Sequence, residues 1–308
     1  MIVVNKLTRE YRQRFNSDNH LGIFDVSLNV DDKECVALVG QNGSGKSTLL
    51  KCISGIMCPD SGGVYLDGRD AYKLRTQLCY EWGVLFSSKP TFIDDLAVAD
   101  NLKLIQRLYN MQQAEVTTNM AVADSFLGIY ELQERQYRTL SFGQRSRCEV
   151  VACLIHDPKY ILLDEPTLGI DAGYLQGLKR YIIHLMNKNN ANVIIVSHDF
   201  DFLNALCSRA VVMKDGRVIK DIKYADFYNI INRRKRVTVT LNEEAQIPDL
   251  LNKIEGFETV DSNHISFYKD GYKPYSEELM KWLTGPDVLS VDTSYRGIEE
   301  VVHEEGWG

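Results

Sequence analysis

No stretch of the 308-residue sequence approaches the roughly 20 apolar residues that a helix needs to cross a bilayer, so a membrane role has to come through a partner. The opening Met1-Ile2-Val3-Val4-Asn5 lacks the basic segment and apolar core of a secretory signal. The seven cysteines (Cys35, Cys52, Cys58, Cys79, Cys148, Cys153 and Cys207) are odd in number, scattered and never spaced as Cys-x-x-Cys. They read as reduced core thiols of a cytosolic protein rather than as a disulfide framework. Internal repeats and low-complexity tracts are absent, which leaves one copy of whatever unit the chain contains. A broad basic face is also missing, and with it the electrostatic footprint of a nucleic-acid binder.

The net charge of −7 conceals an uneven distribution. Residues 237–308 hold 5 Lys/Arg against 15 Asp/Glu, net −10, whereas residues 1–236 hold 30 against 27, net +3. The strongest basic cluster, Arg233-Arg234-Lys235-Arg236, falls where the composition changes. It reads as a solvated helix end before a linker, with contact to a membrane surface or a partner as the alternative. At this length two domains are expected, about residues 1–232 and 237–308.

Short apolar, β-branched runs alternate with helical stretches, the pattern of an α/β fold with a mostly parallel sheet covered by helices. Candidate strands are Cys35–Val39, Ile161–Leu163, Val193–Val196 and Ala210–Met213. The last runs through Asp215-Gly216 into Arg217–Lys220, a tight-hairpin signal that makes the mixed sheet's edge antiparallel. Apolar positions at helical spacing (Leu102, Leu104, Ile105, Leu108) mark a helical insert over about residues 90–145. From Val237 the order becomes strand (Val237–Leu241), helix (Ile247–Ile254), strand (Glu258–Asp261), strand (His264–Tyr268), helix (Tyr275–Leu283) and strand (Val288–Asp292). That βαββαβ order predicts a small α+β, ferredoxin-like accessory domain. It carries no catalytic constellation, and its lone His264 and His303 read as structural or solvated.

Chemistry concentrates in Gly40-Gln41-Asn42-Gly43-Ser44-Gly45-Lys46-Ser47-Thr48, set between an apolar strand and a helix beginning near Lys46. Its glycines let the backbone bend round a polyphosphate with amides pointing inward, and the helix start adds free donors and the positive dipole end. Lys46 reaches the β/γ-phosphates and the Ser47 hydroxyl serves Mg²⁺. The chain is therefore expected to bind a nucleoside triphosphate. Tyr160-Ile161-Leu162-Leu163-Asp164-Glu165 then places two adjacent carboxylates at a strand's end, where neighbouring side chains point to opposite faces. Asp164 fits a Mg²⁺ partner, directly or through water. Glu165 fits a general base for the attacking water.

Gly40–Thr48, Leu140-Ser141-Phe142-Gly143-Gln144, Leu162–Pro166, Gly169-Ile170-Asp171 and Ile195–His198 together resemble, in order and spacing, the nucleotide-binding domain of the ATP-binding cassette family over about residues 1–230. The resemblance implies a P-loop NTPase cassette, ATP and Mg²⁺ as ligands, and a second cassette subunit facing the first. Leu140–Gln144 would be the signature that contacts the partner's ATP, through Ser141 and Gly143. His198 would contact the γ-phosphate, Asp171 would link the opposed sites, and Tyr11 would stack on adenine. Where the family carries a glutamine after the strand reaching Gly83-Val84-Leu85-Phe86, this chain has Ser87-Ser88-Lys89-Pro90, and Phe142 replaces the usual signature glycine. A serine reaches Mg²⁺ only through a bridging water or not at all.

The segment Gly83–Leu96, the helical insert and the appended acidic domain most resemble ATPase subunits of bacterial exporters whose permease is a separate polypeptide. The expectation is an exporter-type ATPase, homodimeric or heterodimeric, cytoplasmic and held at the inner membrane face by permease subunits, with no nucleic acid involved. Two other functions compete with it: a nucleotide-gated regulatory or assembly module with little turnover, and a soluble cassette ATPase outside transport.

Overall fold

The apolar run at Cys35 forms the middle of a sheet because every residue of that strand is buried, as a strand covered on both faces requires. The computed structural model describes residues 1–11, 21–86, 90–169, 172–242, 245, 247–248, 251, 254, 256–270 and 274–307. Two units divide it, Met1–Tyr224 and Ala225–Gly308.

In the first unit the strands are β1 (Ile2–Tyr11), β2 (Leu21–Val30), β3 (Cys35–Gly40), β4 (Ser61–Leu66), β5 (Arg69–Asp70), β6 (Trp82–Phe86), β7 (Tyr160–Asp164), β8 (Asn192–Val196), β9 (Arg209–Lys214) and β10 (Arg217–Lys223). Its helices are α1 (Lys46–Ile53), α2 (Arg75–Leu78), α3 (Val98–Leu108), α4 (Gln113–Leu127), α5 (Phe142–Leu154), α6 (Ala172–Asn189) and α7 (Phe200–Asn204). One sheet has the order β10-β9-β3-β8-β7-β6, parallel except for β10, which pairs antiparallel to β9. The turn between those two strands is Asp215-Gly216, with φ of 47° and 75°, the positive angles that a two-residue hairpin turn demands.

A second, antiparallel sheet, β2-β1-β4-β5, was not legible as strands in the sequence. Its register shifts between Val4 and Leu7 and again between Leu7 and Arg9, so the two-residue alternation that signals a strand is interrupted. Ile2, Leu7, Ile23 and Val26 of this sheet share one core with Val36 and Leu38 of β3, Leu49 and Leu50 of α1, and Leu162 of β7. Burying one such aliphatic side chain contributes ~1.5–3 kcal/mol, and this packing fixes α1 at the end of β3. On α3 the helical period divides the expected apolar positions: Leu102 and Ile105 are buried, while Leu104 and Leu108 are 41% and 63% exposed.

In the second unit, α8 (Tyr224–Asn232, which begins at the boundary) leads into β11 (Arg234–Leu241), β12 (Glu258–Thr259), β13 (His264–Asp270), α9 (Glu277–Leu283), β14 (Val288–Tyr295) and α10 (Ile298–Glu304). The all-antiparallel order β12-β13-β11-β14 interleaves the strands as a split βαβ pair does. Val237, Val239, Ile265, Phe267 and Leu279 make its core. The helix expected at Ile247–Ile254 falls largely outside the described residues.

The basic cluster is not a helix end before a linker. Helix α8 stops at Asn232 and β11 starts at Arg234, so three of the four cations lie on a strand. Arg233 meets Glu305 at 3.1 Å, Arg234 meets Glu304 at 4.0 Å, and Arg236 meets Glu258 and, at 3.9 Å, Glu300. The Lys235 ammonium lies 4.9 Å from the centre of the Tyr295 ring. The acidic residues of the same unit therefore face its basic cluster. The cysteines also divide: five are buried, but Cys58 and Cys79 are exposed.

Candidate nucleotide-binding site

Helix α1 begins without a side-chain cap, leaving its first amides free for an anion. Its N-cap, Gly45, has φ 102°, and a Cβ there would stand 2.8 Å from Cγ2 of Ile23, so only glycine fits this start. Lys46 is 8% exposed and its ammonium donates to the carbonyls of Gly40 at 2.6 Å and Gln41 at 2.7 Å. Burial pushes its pKa down, opposed by the carboxylates of Glu165 and Asp164. A buried ammonium held by its own loop is poised to exchange carbonyl oxygens for phosphate oxygens. The Ser44 hydroxyl is buried in the same loop without a hydrogen-bond partner among the described residues.

Strand β8 separates β3 from β7, so the phosphate loop and the carboxylates stand two strands apart on one sheet edge. The Ser47 hydroxyl donates to Oδ2 of Asp164 at 3.0 Å. This hydroxyl–carboxylate pair fits Mg²⁺, which takes hard oxygen donors and needs only one or two protein ligands when it arrives with phosphate. Among the described residues no group of three His, Cys, Asp or Glu could hold a metal by itself. Burial raises the Asp164 pKa, against the Ser47 hydrogen bond and the charge of Lys46.

Glu165 leaves the strand with φ 56°, in the left-handed region, where a non-glycine residue costs roughly 1–2 kcal/mol. Its own N–H donates to the Val196 carbonyl at 2.8 Å, which holds the strained turn against β8. That turn separates its side chain from that of Asp164. Oε2 of Glu165 accepts from the His198 N–H at 3.3 Å, and the His198 ring Nε2 lies 3.5 Å from Oε1. Burial raises the Glu165 pKa, the state suited to accepting a proton, while His198 opposes the rise. Thr167 and Ser197 hydroxyls, 2.8 Å apart, tie the following loop to the end of β8.

A cavity of about 400 Å³ gathers Tyr11, Asn42, Gly43, Gly45, Lys46, Ser47, Thr48, Asp164, Glu165 and His198. Leu21 and Gly22 of β2 line it too, and the sequence carried no signal for either. The Tyr11 hydroxyl lies 3.3 Å from Oγ1 of Thr48, with the ring 38% exposed at the rim. Leu140, Ser141, Phe142, Gly143 and Gln144 do not line this cavity. They form the start of α5, where Ser141 caps the helix: its hydroxyl accepts from the Gln144 N–H at 3.3 Å and Oε1 of Gln144 accepts from the Ser141 N–H at 3.1 Å. Phe142 is 59% exposed and packs against Gly169. Ser87, Ser88 and Asp171 lie outside the described residues.

A second cavity, about 220 Å³, separates the Phe142–Ser146–Glu149 face of α5 from Asp164, Glu165 and Leu168. Glu149 was missed in the sequence, although a single carboxylate inside the apolar run Cys148–Ile155 was a readable signal.

A glycine-rich loop joining a central parallel strand to a helix, with an acidic strand end two strands away, defines a P-loop nucleotide-binding protein. A family model described as "ABC transporter" matches residues 23–168. The chain is 30% identical over 195 residues to "ABC transporter ATP-binding protein NatA" of Bacillus subtilis, covering 63% of this chain and 79% of that one. It is 26% identical over 248 residues to "Energy-coupling factor transporter ATP-binding protein EcfA3" of Clostridium perfringens, covering 78% and 86%. Among solved structures, the dimeric bacterial ABC transporter cassette MJ0796 gives a TM-score of 0.64 at 25% identity, covering 73% of this chain and 99% of that one. The cbiO1 subunit of the Clostridium perfringens cbiONQ transporter gives 0.60 at 27%, covering 74% and 90%. The chain belongs to the ABC transporter family as an ATP-binding subunit, and ATP hydrolysis is that family's activity.

Proposed function

We propose that two copies of the cassette, or this chain and a similar one, close face to face over ATP and Mg²⁺ and thereby drive a separate membrane permease, in the export direction. The carrying observation is the separation within one chain of the phosphate cavity from Leu140–Gln144, none of which lines it. Completing the site then takes a second cassette, whose Ser141 and Gly143 reach the γ-phosphate held by Lys46. The uncapped start of α1 and Lys46 bind the phosphates, and Ser47 and Asp164 would hold Mg²⁺, which offsets phosphate charge when bound. Glu165 accepts a proton from the attacking water, and His198 orients the γ-phosphate end of the cavity. Asp171 and the serines at 87 and 88 enter this reading by sequence position alone.

Attachment to a permease is supported by the exposed Leu104 and Leu108, one turn apart on α3, and by the exposed Tyr80. Among the described residues no helix is long and apolar enough to cross a membrane, and in this reading the spanning part is another polypeptide. In this reading residues 237–308 form an accessory domain and the chain sits at the cytoplasmic membrane face. Export rests on the outline of the sequence. A second reading, service to a membrane component of the energy-coupling factor kind, is favoured by the longer match to EcfA3.

The decisive experiment compares ATP turnover and ATP binding in the purified chain and in Glu165→Gln. Turnover lost with binding retained, and a dimer that persists on ATP in the variant, is the expected result. Turnover that survives the substitution refutes Glu165 as the base. Binding without turnover in the wild type instead marks a nucleotide-gated module. Transport direction is read separately, by purifying the membrane protein that copurifies with the chain and following cargo in vesicles.

A further inference from the structure

The Glu149 carboxylate is 8% exposed and, among the described residues, no Lys or Arg is in hydrogen-bonding contact with it. Three donors converge on it from two other segments. Oε2 accepts from the Thr91 N–H at 2.8 Å, and Oε1 accepts from the Phe92 N–H at 3.3 Å and from the Tyr137 hydroxyl at 2.8 Å. The Phe92 and Tyr137 rings pack with centroids 5.1 Å apart, and the Arg145 guanidinium lies 5.3 Å from the centre of the Tyr137 ring. Burial and Glu149 together raise the Tyr137 pKa, keeping the phenol a donor.

Thr91 and Phe92 follow β6, the strand that pairs in register with β7 as far as Phe86 opposite Asp164. Glu149 sits on α5, about 12 Å along the axis from the capping Ser141. Phe142, Ser146 and Glu149 share one helix face, which looks across the smaller cavity at Glu165. A carboxylate gripped by backbone amides on one element and fixed to a rigid helix on the other makes the two move as one body, because separating them leaves a buried charge unpaired.

We infer that Glu149 is a positioning residue that locks the chain leaving β6 to the signature helix, so that displacement of Thr91–Phe92 is delivered to Ser141 and Phe142. The inference rests on the proposed role of Ser141 at a partner's ATP. It assigns the signature's placement to a contact outside the signature itself.

The test uses the full chain with Glu149→Gln, which keeps the shape but turns one acceptor into an NH₂ facing a donor, and Tyr137→Phe, which removes one donor and leaves both amides. Hydrogen exchange by mass spectrometry is followed over residues 90–97 and 140–146, alongside kcat and KM for ATP. In Glu149→Gln both segments are expected to exchange faster together, with kcat down about tenfold and KM within about twofold, since the phosphate loop is untouched. Tyr137→Phe is expected to show the same pattern at a smaller amplitude, about threefold in kcat. Faster exchange at residues 90–97 alone, with residues 140–146 unchanged, overturns the inference, as does an unchanged kcat. Faster exchange over the whole chain in both variants overturns it too, by showing a merely structural role. A wild type that does not hydrolyse ATP refutes the functional reading and leaves the exchange data to decide the coupling.

Discussion

Replacing Gly169 by alanine should disturb the signature turn from within its own chain. Gly169 has φ +70°, and a Cβ built there would lie 2.1 Å from Cδ1 and 2.3 Å from Cε1 of Phe142. Two penalties follow. Holding alanine in the left-handed region costs about 1 kcal/mol, and pushing the Phe142 ring off its rotamer costs about another 1 kcal/mol. For a unit of 224 residues a loss of about 2 kcal/mol lowers the unfolding midpoint by roughly 4–8 °C. Phe142→Ala alone should change stability little, because the ring is 59% exposed. In the double variant the ring penalty disappears, so about half the loss returns, a coupling of ~1 kcal/mol that a double-mutant cycle measures. ATP turnover should follow the same order, since Phe142 is the first residue of α5 after the capping Ser141. Unfolding midpoints that add strictly across the cycle, with no recovery in the double variant, would refute the contact as the origin of the effect.

Two further outcomes can be checked directly. Tyr11→Ala should weaken ATP binding about tenfold in calorimetry while Tyr11→Phe retains it, because stacking on a base needs the ring and not the hydroxyl; equal loss in both would instead assign the effect to the contact with Thr48. His156 stacks on Tyr109 at 3.6 Å between centroids, donates from Nε2 to the Trp82 carbonyl at 2.9 Å, and is lowered by burial from 6.5 to about 4. The unfolded chain binds that proton first, so stability falls as pH drops below about 6.5 and the loss levels off near 4, reaching roughly 3 kcal/mol. Urea unfolding of the wild type and His156→Gln at pH 7, 6 and 5 should show that steeper acid loss in the wild type only.

Much of the site was legible because its chemistry is local. The phosphate loop, the strand before it and the helix after it lie within one short window, as do the carboxylates at Asp164 and Glu165. The hairpin at Asp215-Gly216 was legible for the same reason, since only a turn with positive φ accommodates that pair there. What stayed hidden depends on residues far apart in sequence. Glu149 meets Thr91 and Phe92 from 58 and 57 positions away, and no periodicity encodes such a contact. Strands β1 and β2 hid because shifts in their register, with Lys6 and Asp25 at φ of 47° and 53°, break the alternation. The run at Arg233–Arg236 misled because its charges suggested solvent, whereas in the fold its arginines face Glu258 and three carboxylates that arrive only near the chain's end.

That last arrangement bears on how the protein is handled. Helix α10 supplies Glu300 and Glu304, and Glu305 follows it, against cations on and beside the unit's first strand. Trimming the chain after Arg296 would strip four glutamates at once, Glu299, Glu300, Glu304 and Glu305, and take from Arg233, Arg234 and Arg236 carboxylates that face them, with Glu258 still against Arg236. The shortened protein would then present a more positive face there and bind polyanions such as DNA or acidic lipid more readily. Such binding would be an artefact of the cut, abolished by moderate salt, and unrelated to what the intact chain recognises.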